Sequence, residues 1–346
     1  MFTFAGKLHI NNFSCIMANV IKIKKGLDIN LKGKASDVLL NGGKSESYAI
    51  VPDYYNGILP KVVAKVGEKV KAGSVLMIDK NRPEIKFVSP VSGEVTAVNR
   101  GEKRKVLSIV VKPDAQIEYE EFGKKNVASL QGAEVKEVLL NAGMWPFIKQ
   151  RPYDIVAAPL DTPRDIFVSA FYSAPLAPNF DFIVKGQEAD FQTGLNALAK
   201  LTNGKVYVGV RSGSVVSGMK GVEIVEVEGP HPAANVGVQI NHIKPVNKGE
   251  VVWTVNPADV IVIGRLFNKG VADFSRMVAI TGSETTERGY VKTISGCTIK
   301  SLVNGKVLGQ EHIRIISGNV LTGTKVNMDG YLGAYDNQIT VCLLYT

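Results

Sequence analysis

Val66-Gly67-Glu68-Lys69-Val70-Lys71-Ala72-Gly73-Ser74-Val75-Leu76, followed by Phe87-Val88-Ser89-Pro90-Val91-Ser92-Gly93-Glu94-Val95, is the part of the chain that decides its fold. Valine, leucine and phenylalanine alternate with polar residues over short runs, the pattern of half-buried strands. Gly67, Gly73 and Gly93 fall where such runs must turn, and glycine reaches the positive φ that tight turns need. This part of the chain is therefore expected to be all-β.

The paired blocks resemble a barrel-sandwich hybrid of the biotinyl/lipoyl type. In carrier domains of that type a hairpin between the blocks presents the lysine that receives the prosthetic group. Here that position is Arg82, followed by Pro83, with Lys80 two residues early. An arginine does not serve as the acyl acceptor, and Pro83 restricts the backbone of Arg82. Lys80 lies outside the structural context that modification requires. The resemblance implies a retained fold without carrier chemistry.

The 346 residues suffice for two or three domains, and 45% hydrophobic with 21% charged residues is ordinary for a globular chain. Runs such as Val260-Ile261-Val262-Ile263 are far shorter than the roughly 18 to 20 residues that span a bilayer. Met1 to Cys15 lacks the basic, apolar and small-residue order of a secretory signal, so a cytoplasmic location is expected. Residues 1–16 are read as an unstructured extension, because Met17-Ala18-Asn19-Val20 looks like the natural start. Cys15, Cys297 and Cys342 stand far apart with no Cys-x-x-Cys pair, which argues against an iron–sulfur cluster, a zinc ribbon or a disulfide framework. The net charge of +9 comes from scattered lysines with small clusters at Lys22-Lys24-Lys25 and Lys103-Arg104-Lys105. No nucleic-acid motif accompanies them, so they read as a solvated face or as a surface that docks on a membrane complex.

Beyond Pro113 the pattern changes. Helical spacing over Glu134–Leu140, Gln187–Lys200 and Pro257–Asn268 intersperses apolar strands at Ile166–Phe171, Val206–Val210 and Val222–Val227, the signature of a parallel α/β sheet. The dinucleotide fingerprint G-x-G-x-x-G is missing from its turns, and Arg211-Ser212-Gly213-Ser214 is the nearest approach to an anion-binding turn. Short β-runs with glycine turns return from Asp273 to Val341. The expected class is multidomain α+β: a barrel-sandwich hybrid over 17–115, a Rossmann-like α/β domain over 116–255 and a β-grasp module, of the soluble-ligand-binding type, over 256–346.

This order of modules is similar to that of the A subunit of the sodium-translocating NADH:quinone reductase. The residues that carry the resemblance are Ile21-Lys22-Ile23-Lys24-Lys25-Gly26-Leu27-Asp28, Gly229-Pro230-His231-Pro232-Ala233, Val252-Trp253-Thr254, Asp259-Val260-Ile261-Val262-Ile263-Gly264 and Tyr331-Leu332-Gly333-Ala334-Tyr335. The resemblance extends from residue 17 to about 342. Members of that family continue into a largely helical C-terminal segment, so the chain is expected to stop short of the family's full length.

The resemblance implies a peripheral component on the cytoplasmic face of the bacterial inner membrane. Its partners are the other subunits of the complex, including one integral to the membrane, and quinone is a further candidate ligand. NADH, flavins, iron–sulfur and quinone chemistry belong to those other subunits, and no cofactor is expected on this chain. The family is also distantly related to the NADH-binding, FMN-bearing subunit of respiratory complex I, whose glycine-rich loop wraps the FMN phosphate. The corresponding stretch here is Asn141 to Pro152, in which only Gly143 and Pro146 match and Met144 and Trp145 would crowd the anion. A soluble Rossmann-like oxidoreductase with a degenerate nucleotide site is the alternative.

Trp145, Phe147, Lys149 and Arg151 combine aromatic faces with cations, a set that suits stacking on a quinone ring while a cation steadies a carbonyl oxygen. The same aromatics also suit plain packing between domains. His231, between two prolines, sits where a proton donor to a reduced quinone would be needed, and equally suits a hydrogen-bonded loop. No Ser-His-Asp, paired-carboxylate or H-E-x-x-H pattern points to a hydrolase, and His242 lacks metal-pair spacing with His231.

Overall fold

Extended runs rich in valine, isoleucine and phenylalanine build a central seven-stranded sheet in the protein, a computed structural model that describes residues 20–309 and 312–343. The extension expected over residues 1–16 lies outside the described residues. The strands are β1 (Val20–Lys22), β2 (Ile148–Arg151), β3 (Ile155–Val156), β4 (Ile166–Ser169), β5 (Val206–Val210), β6 (Glu223–Glu228) and β7 (Val252–Val255), in the spatial order β1-β6-β5-β4-β7-β2-β3. From β1 across to β7 neighbouring strands run parallel. Strands β2 and β3 then extend the sheet antiparallel.

The helices of this domain are α1 (Gly132–Asn141), α2 (Phe180–Val184), α3 (Glu188–Ala199), α4 (Val236–Ile243) and α5 (Pro257–Lys269). Side chains alternate across a strand, so both faces of β4 need cover. Ile166 and Val168 join the main core with Phe191 and Leu195 of α3 and with Val260 and Ile263 of α5. Phe167 packs on the other face with Ile240 of α4 and Val252. Helices α3 and α5 meet almost backbone to backbone: a Cβ on Gly264 would stand 1.7 Å from the Asp190 carbonyl oxygen, and one on Gly194 2.1 Å from that of Val260.

Strand β1 departs from the expected domain order, which grouped residues 17–115 in one β module. It lies at the edge of the α/β sheet, with Val20 opposite Glu226. An alternating strand fits any edge of the same period, so sequence pattern does not choose its sheet, whereas the open side of β6 gains a hydrogen-bonded partner. A strap then crosses to the C-terminal sheet, where Gly282 N–H donates to Gly33 O at 2.8 Å and Leu40 N–H to Tyr290 O at 2.7 Å. Only then does the chain enter the hybrid module.

That module consists of a four-stranded sheet (Tyr48–Ile50, Lys69–Val70, Gly93–Arg100 and Val106–Pro113) and a three-stranded one (Pro60–Val62, Val75–Asp79 and Lys86–Val88). Leu76, Met77, Ile85, Val95 and Ile109 are fully buried among these strands. Gly93 is required by close approach, because a Cβ there would lie 1.9 Å from the Lys112 carbonyl oxygen.

Arg82, at the carrier-lysine position, is a staple. Its Nε donates to Oδ2 of the buried Asp79 at 2.8 Å, Nη1 to Val156 O at 3.1 Å and Nη2 to Gly57 O at 2.8 Å. The hairpin is thereby tied to β3 of the α/β sheet, and Lys80 points into solvent. The C-terminal unit is a five-stranded mixed sheet, in the order Gly289–Ile294, Ser275–Thr281, Gln338–Leu343, Ile313–Ser317, Thr324–Val326, with the short helix Ile299–Val303.

Candidate functional site

The connections β4-α3-β5 and onward to β6 progress to one side of β4, and the chain then returns to place β7 on its other side. Open α/β sheets bind ligands outside the carboxyl ends of their strands at such a reversal. A cavity of about 640 Å³ lies there, walled by the residues that follow β4 (Phe171, Tyr172) and β7 (Asn256, Pro257), by β2, and by Tyr335 of the C-terminal unit.

The stretch Trp145 to Pro152 is a 3-10 turn over Trp145–Phe147 running into β2. Residues two apart on a strand share a face, so Lys149 and Arg151 both reach the cavity. Lys149 Nζ lies 4.1 Å from the centre of the Tyr335 ring and 3.7 Å from Asp154 Oδ2. Arg151 Nη2 lies 3.4 Å from Asp154 Oδ1, while its Nε is buried without a partner. Two cations against one carboxylate leave this wall positive.

The opposite wall adds to that field. Helices α4 and α5 both begin at the cavity, at Asn235 and Asn256, and neither N-cap side chain bonds the first-turn N–H groups. Their donors and the positive ends of their dipoles favour an electron-rich guest. Tyr335 donates its hydroxyl to Pro146 O at 2.6 Å, and burial holds its phenol well above the ordinary range, so it remains a neutral ring. Tyr172 hydrogen-bonds Asn256 Oδ1 at 3.4 Å and accepts from Asn337 Nδ2 at 3.0 Å. In the first turn of α5, Asp259 is wholly buried against Arg276 at 2.9 Å. Burial pushes its carboxyl up to about 6, a rise that the Arg276 charge opposes. Asp259 Oδ2, Arg276 Nε and Asn337 Oδ1 are buried without protein partners.

Of the residues singled out from sequence, the structure brings Phe147, Lys149 and Arg151 together. Trp145 is elsewhere: its ring is fully buried, stacks edge-on to Trp253 at 5.3 Å, and donates Nε1–H to Ala157 O at 2.8 Å. His231 is also outside the cavity wall, with Nδ1 3.0 Å from Ser173 Oγ and its backbone N–H donating to Asp28 Oδ1. Arg211 lines a second cavity of about 660 Å³ beside β4 and β5, where its guanidinium covers the Phe171 ring and donates to Gly229 O. Tyr335, Tyr172, Asn256 and Asp154 were not read as site residues. Tyr335 sits in a quoted motif, but nothing local to it signals contact with β2.

The glycine-rich phosphate cradle of an FMN site does not fit this chain. Gly143 takes φ +66° and presses on Val88 of the hybrid module, whose Cγ1 would be 2.6 Å from an added Cβ, and Met144 is fully buried. Among the described residues no group of histidine, cysteine and carboxylate side chains has the arrangement to hold a metal ion.

Comparison with known proteins bears on this architecture. Residues 21–114 match the family model described as "NqrA N-terminal barrel-sandwich hybrid domain", residues 130–272 "NqrA second alpha/beta domain" and residues 277–328 "NQRA C-terminal domain". The chain is 36% identical over 327 residues to NqrA, the A subunit of the Na(+)-translocating NADH-quinone reductase, from Neisseria meningitidis serogroup A, covering 93% of this chain and 73% of that protein. It belongs to the NqrA family of Na(+)-translocating NADH-quinone reductase subunits. The resemblance drawn from sequence motifs is thereby borne out. The corresponding protein from Hahella chejuensis is 37% identical over 330 residues, covering 94% of this chain and 73% of its own length. Among solved structures, the chain is similar to an NAD+-reducing [NiFe]-hydrogenase in the H2-reduced state. That likeness, with a TM-score of 0.38 and 12% identity over 53% of this chain and 41% of the other, carries nothing about function.

Proposed function

We propose that this member of the NqrA family is a peripheral component, on the cytoplasmic face of the bacterial inner membrane, of a reductase that couples NADH oxidation and quinone reduction to sodium export. In this reading it binds the quinone headgroup in the cavity between β2, β7 and Tyr335 and carries no redox cofactor of its own, electrons arriving from partner subunits. The α/β sheet serves as a Rossmann-like domain without its dinucleotide turn, and the C-terminal unit as a β-grasp module. Family membership supports the assignment to the complex. Among the described residues no helix is long and apolar enough to cross a membrane, which accords with a peripheral place.

The observation that carries the quinone reading is the pairing of Lys149 and Arg151 with the aromatic rings of Phe147 and Tyr335 in one cavity. A quinone ring is flat and has two carbonyl oxygens, so it stacks on an aromatic face while a cationic donor holds an oxygen. A fluorescence titration of Trp145 and Trp253 with a soluble short-chain quinone tests it. Saturable quenching that weakens about tenfold in Lys149→Ala or Arg151→Ala, the loss of one charge-assisted hydrogen bond, is expected. Linear quenching that is the same in all variants would refute it. The cavity of about 660 Å³ beside Arg211 favours a second reading, a degenerate nucleotide site, which predicts saturable NADH binding abolished by Arg211→Ala.

A further inference from the structure

We propose that the strap from Lys22 to Leu39 is a docking surface for an anionic lipid bilayer. This goes beyond the quinone reading and requires nothing of the cavity. The strap leaves the carboxyl end of β1 and runs to the C-terminal sheet. Its backbone is fixed by Leu27 N–H to His231 O at 2.9 Å, Gly282 N–H to Gly33 O at 2.8 Å and Leu40 N–H to Tyr290 O at 2.7 Å. A strap held in this way presents a set surface.

That surface is both apolar and basic. Leu27 is 70% exposed, Ile29 41%, Leu31 43%, Val38 49% and Leu39 63%. A single exposed leucine is unremarkable, but five large aliphatic side chains are exposed along this one segment, with Ile29 and Leu31 at the wall of the cavity beside Arg211 and Leu27, Val38 and Leu39 outside its lining. Lys24, Lys25, Lys32 and Lys34 are exposed, and none has a carboxylate within ion-pair distance among the described residues. The two acids of the strap are exposed as well, and each accepts a hydrogen bond from the body of the protein: Asp28 from the His231 N–H and Asp37 from Asn179 Nδ2. Five lysines against two aspartates over Lys22–Leu39 leave the strap with a net positive charge.

Charge complementarity selects a bilayer over a protein. Protein interfaces concentrate aromatics and exclude lysine, whereas this strap has no aromatic residue and is dense in lysine. Lysines bury their stems and keep their ammonium groups at the depth of phosphates, while neighbouring aliphatic side chains enter the headgroup boundary. The negative surface potential of an anionic leaflet supplies the attraction.

Vesicle co-sedimentation of the full chain tests this, with phosphatidylcholine alone and with phosphatidylglycerol added. Binding to the mixed vesicles only is expected, weakening as salt shortens the Debye length. Lys24→Gln/Lys25→Gln should lower the partition coefficient about thirtyfold, the effect of two lysines at such a surface. Leu27→Ser/Leu31→Ser should lower it at low and high salt alike. Lys61→Gln/Lys65→Gln, an equal charge change on the hybrid module, should leave it unchanged. No binding to the mixed vesicles, equal binding to neutral ones, or an equal loss in the hybrid-module control would overturn the proposal.

Discussion

Replacing Arg82 with alanine should loosen one joint of the molecule and leave the rest intact. Arg82 makes three charge-assisted bonds, one to Asp79 and two to the carbonyls of Val156 and Gly57, and its side chain is 20% exposed while that of Asp79 is 0%. Removing one partner of a buried ion pair costs about 3–5 kcal/mol. Asp79 would still accept from Leu59 N–H at 3.0 Å and Asn81 N–H at 3.1 Å. The loss therefore belongs at the low end, about 3 kcal/mol. Native-state hydrogen exchange reads it directly, since about 1.4 kcal/mol is a factor of ten in an opening equilibrium. The amides of Leu59, Lys80, Asn81 and Val156 should exchange on the order of 100-fold faster, with Arg82→Lys falling between because an ammonium cannot span all three acceptors. Unchanged rates at those amides, or an equal rise throughout the protein, would refute the staple.

The Asp259 carboxyl, raised from 3.8 to about 6 by burial, retains a proton in the folded state over a pH range in which the unfolded chain has released it. Stability should therefore fall as pH rises from about 4 to about 6, by about 3 kcal/mol, and Asp259→Asn should flatten that part of a thermal-midpoint profile. Gly264→Ala should cost about 3 kcal/mol by forcing α5 away from the Asp190 carbonyl, which a lowered melting temperature would report. Trp145→Ala, which empties a fully buried site and orphans the Ala157 carbonyl, should cost about 3–5 kcal/mol in chemical denaturation. Lys149→Ala should stay within about 1 kcal/mol of the parent in the same assay, because its ion pair with Asp154 is partly solvated.

Much of the fold was legible where periodicity speaks. The helix expected over Gln187–Lys200 is α3 at Glu188–Ala199, that over Pro257–Asn268 is α5 at Pro257–Lys269, and the strand at Val206–Val210 is β5 to the residue. Helix α4 went unforeseen because Val236-Gly237-Val238-Gln239-Ile240 is rich in β-branched residues and glycine, weak helix formers overridden here by packing on Phe167. The place of β1 was illegible because its pairing is set by a distant edge. In the site, Lys149 and Arg151 were found as cations beside aromatic residues, while the strand that puts both on one face was not read from the sequence. Trp145 looked equally suited, yet the acceptor that satisfies its indole, Ala157, comes from a separate segment that no local pattern reveals. Tyr335 reaches the cavity only through the meeting of two domains, whereas Asn256 lies there because it follows β7 in the α/β sheet.

The pairing of Val20 with Glu226 also sets an order of events at the ribosome. At about 5–20 residues per second, β1 emerges on the order of ten to forty seconds before β6 exists. The hybrid module, complete by Pro113, can fold within that interval. Until then β1 is a bare strand beside an already folded module, open to pairing with another nascent chain. The exposed lysines at Lys22, Lys24 and Lys25 mark its carboxyl end with charge of one sign, so two such nascent strands repel each other there while they wait.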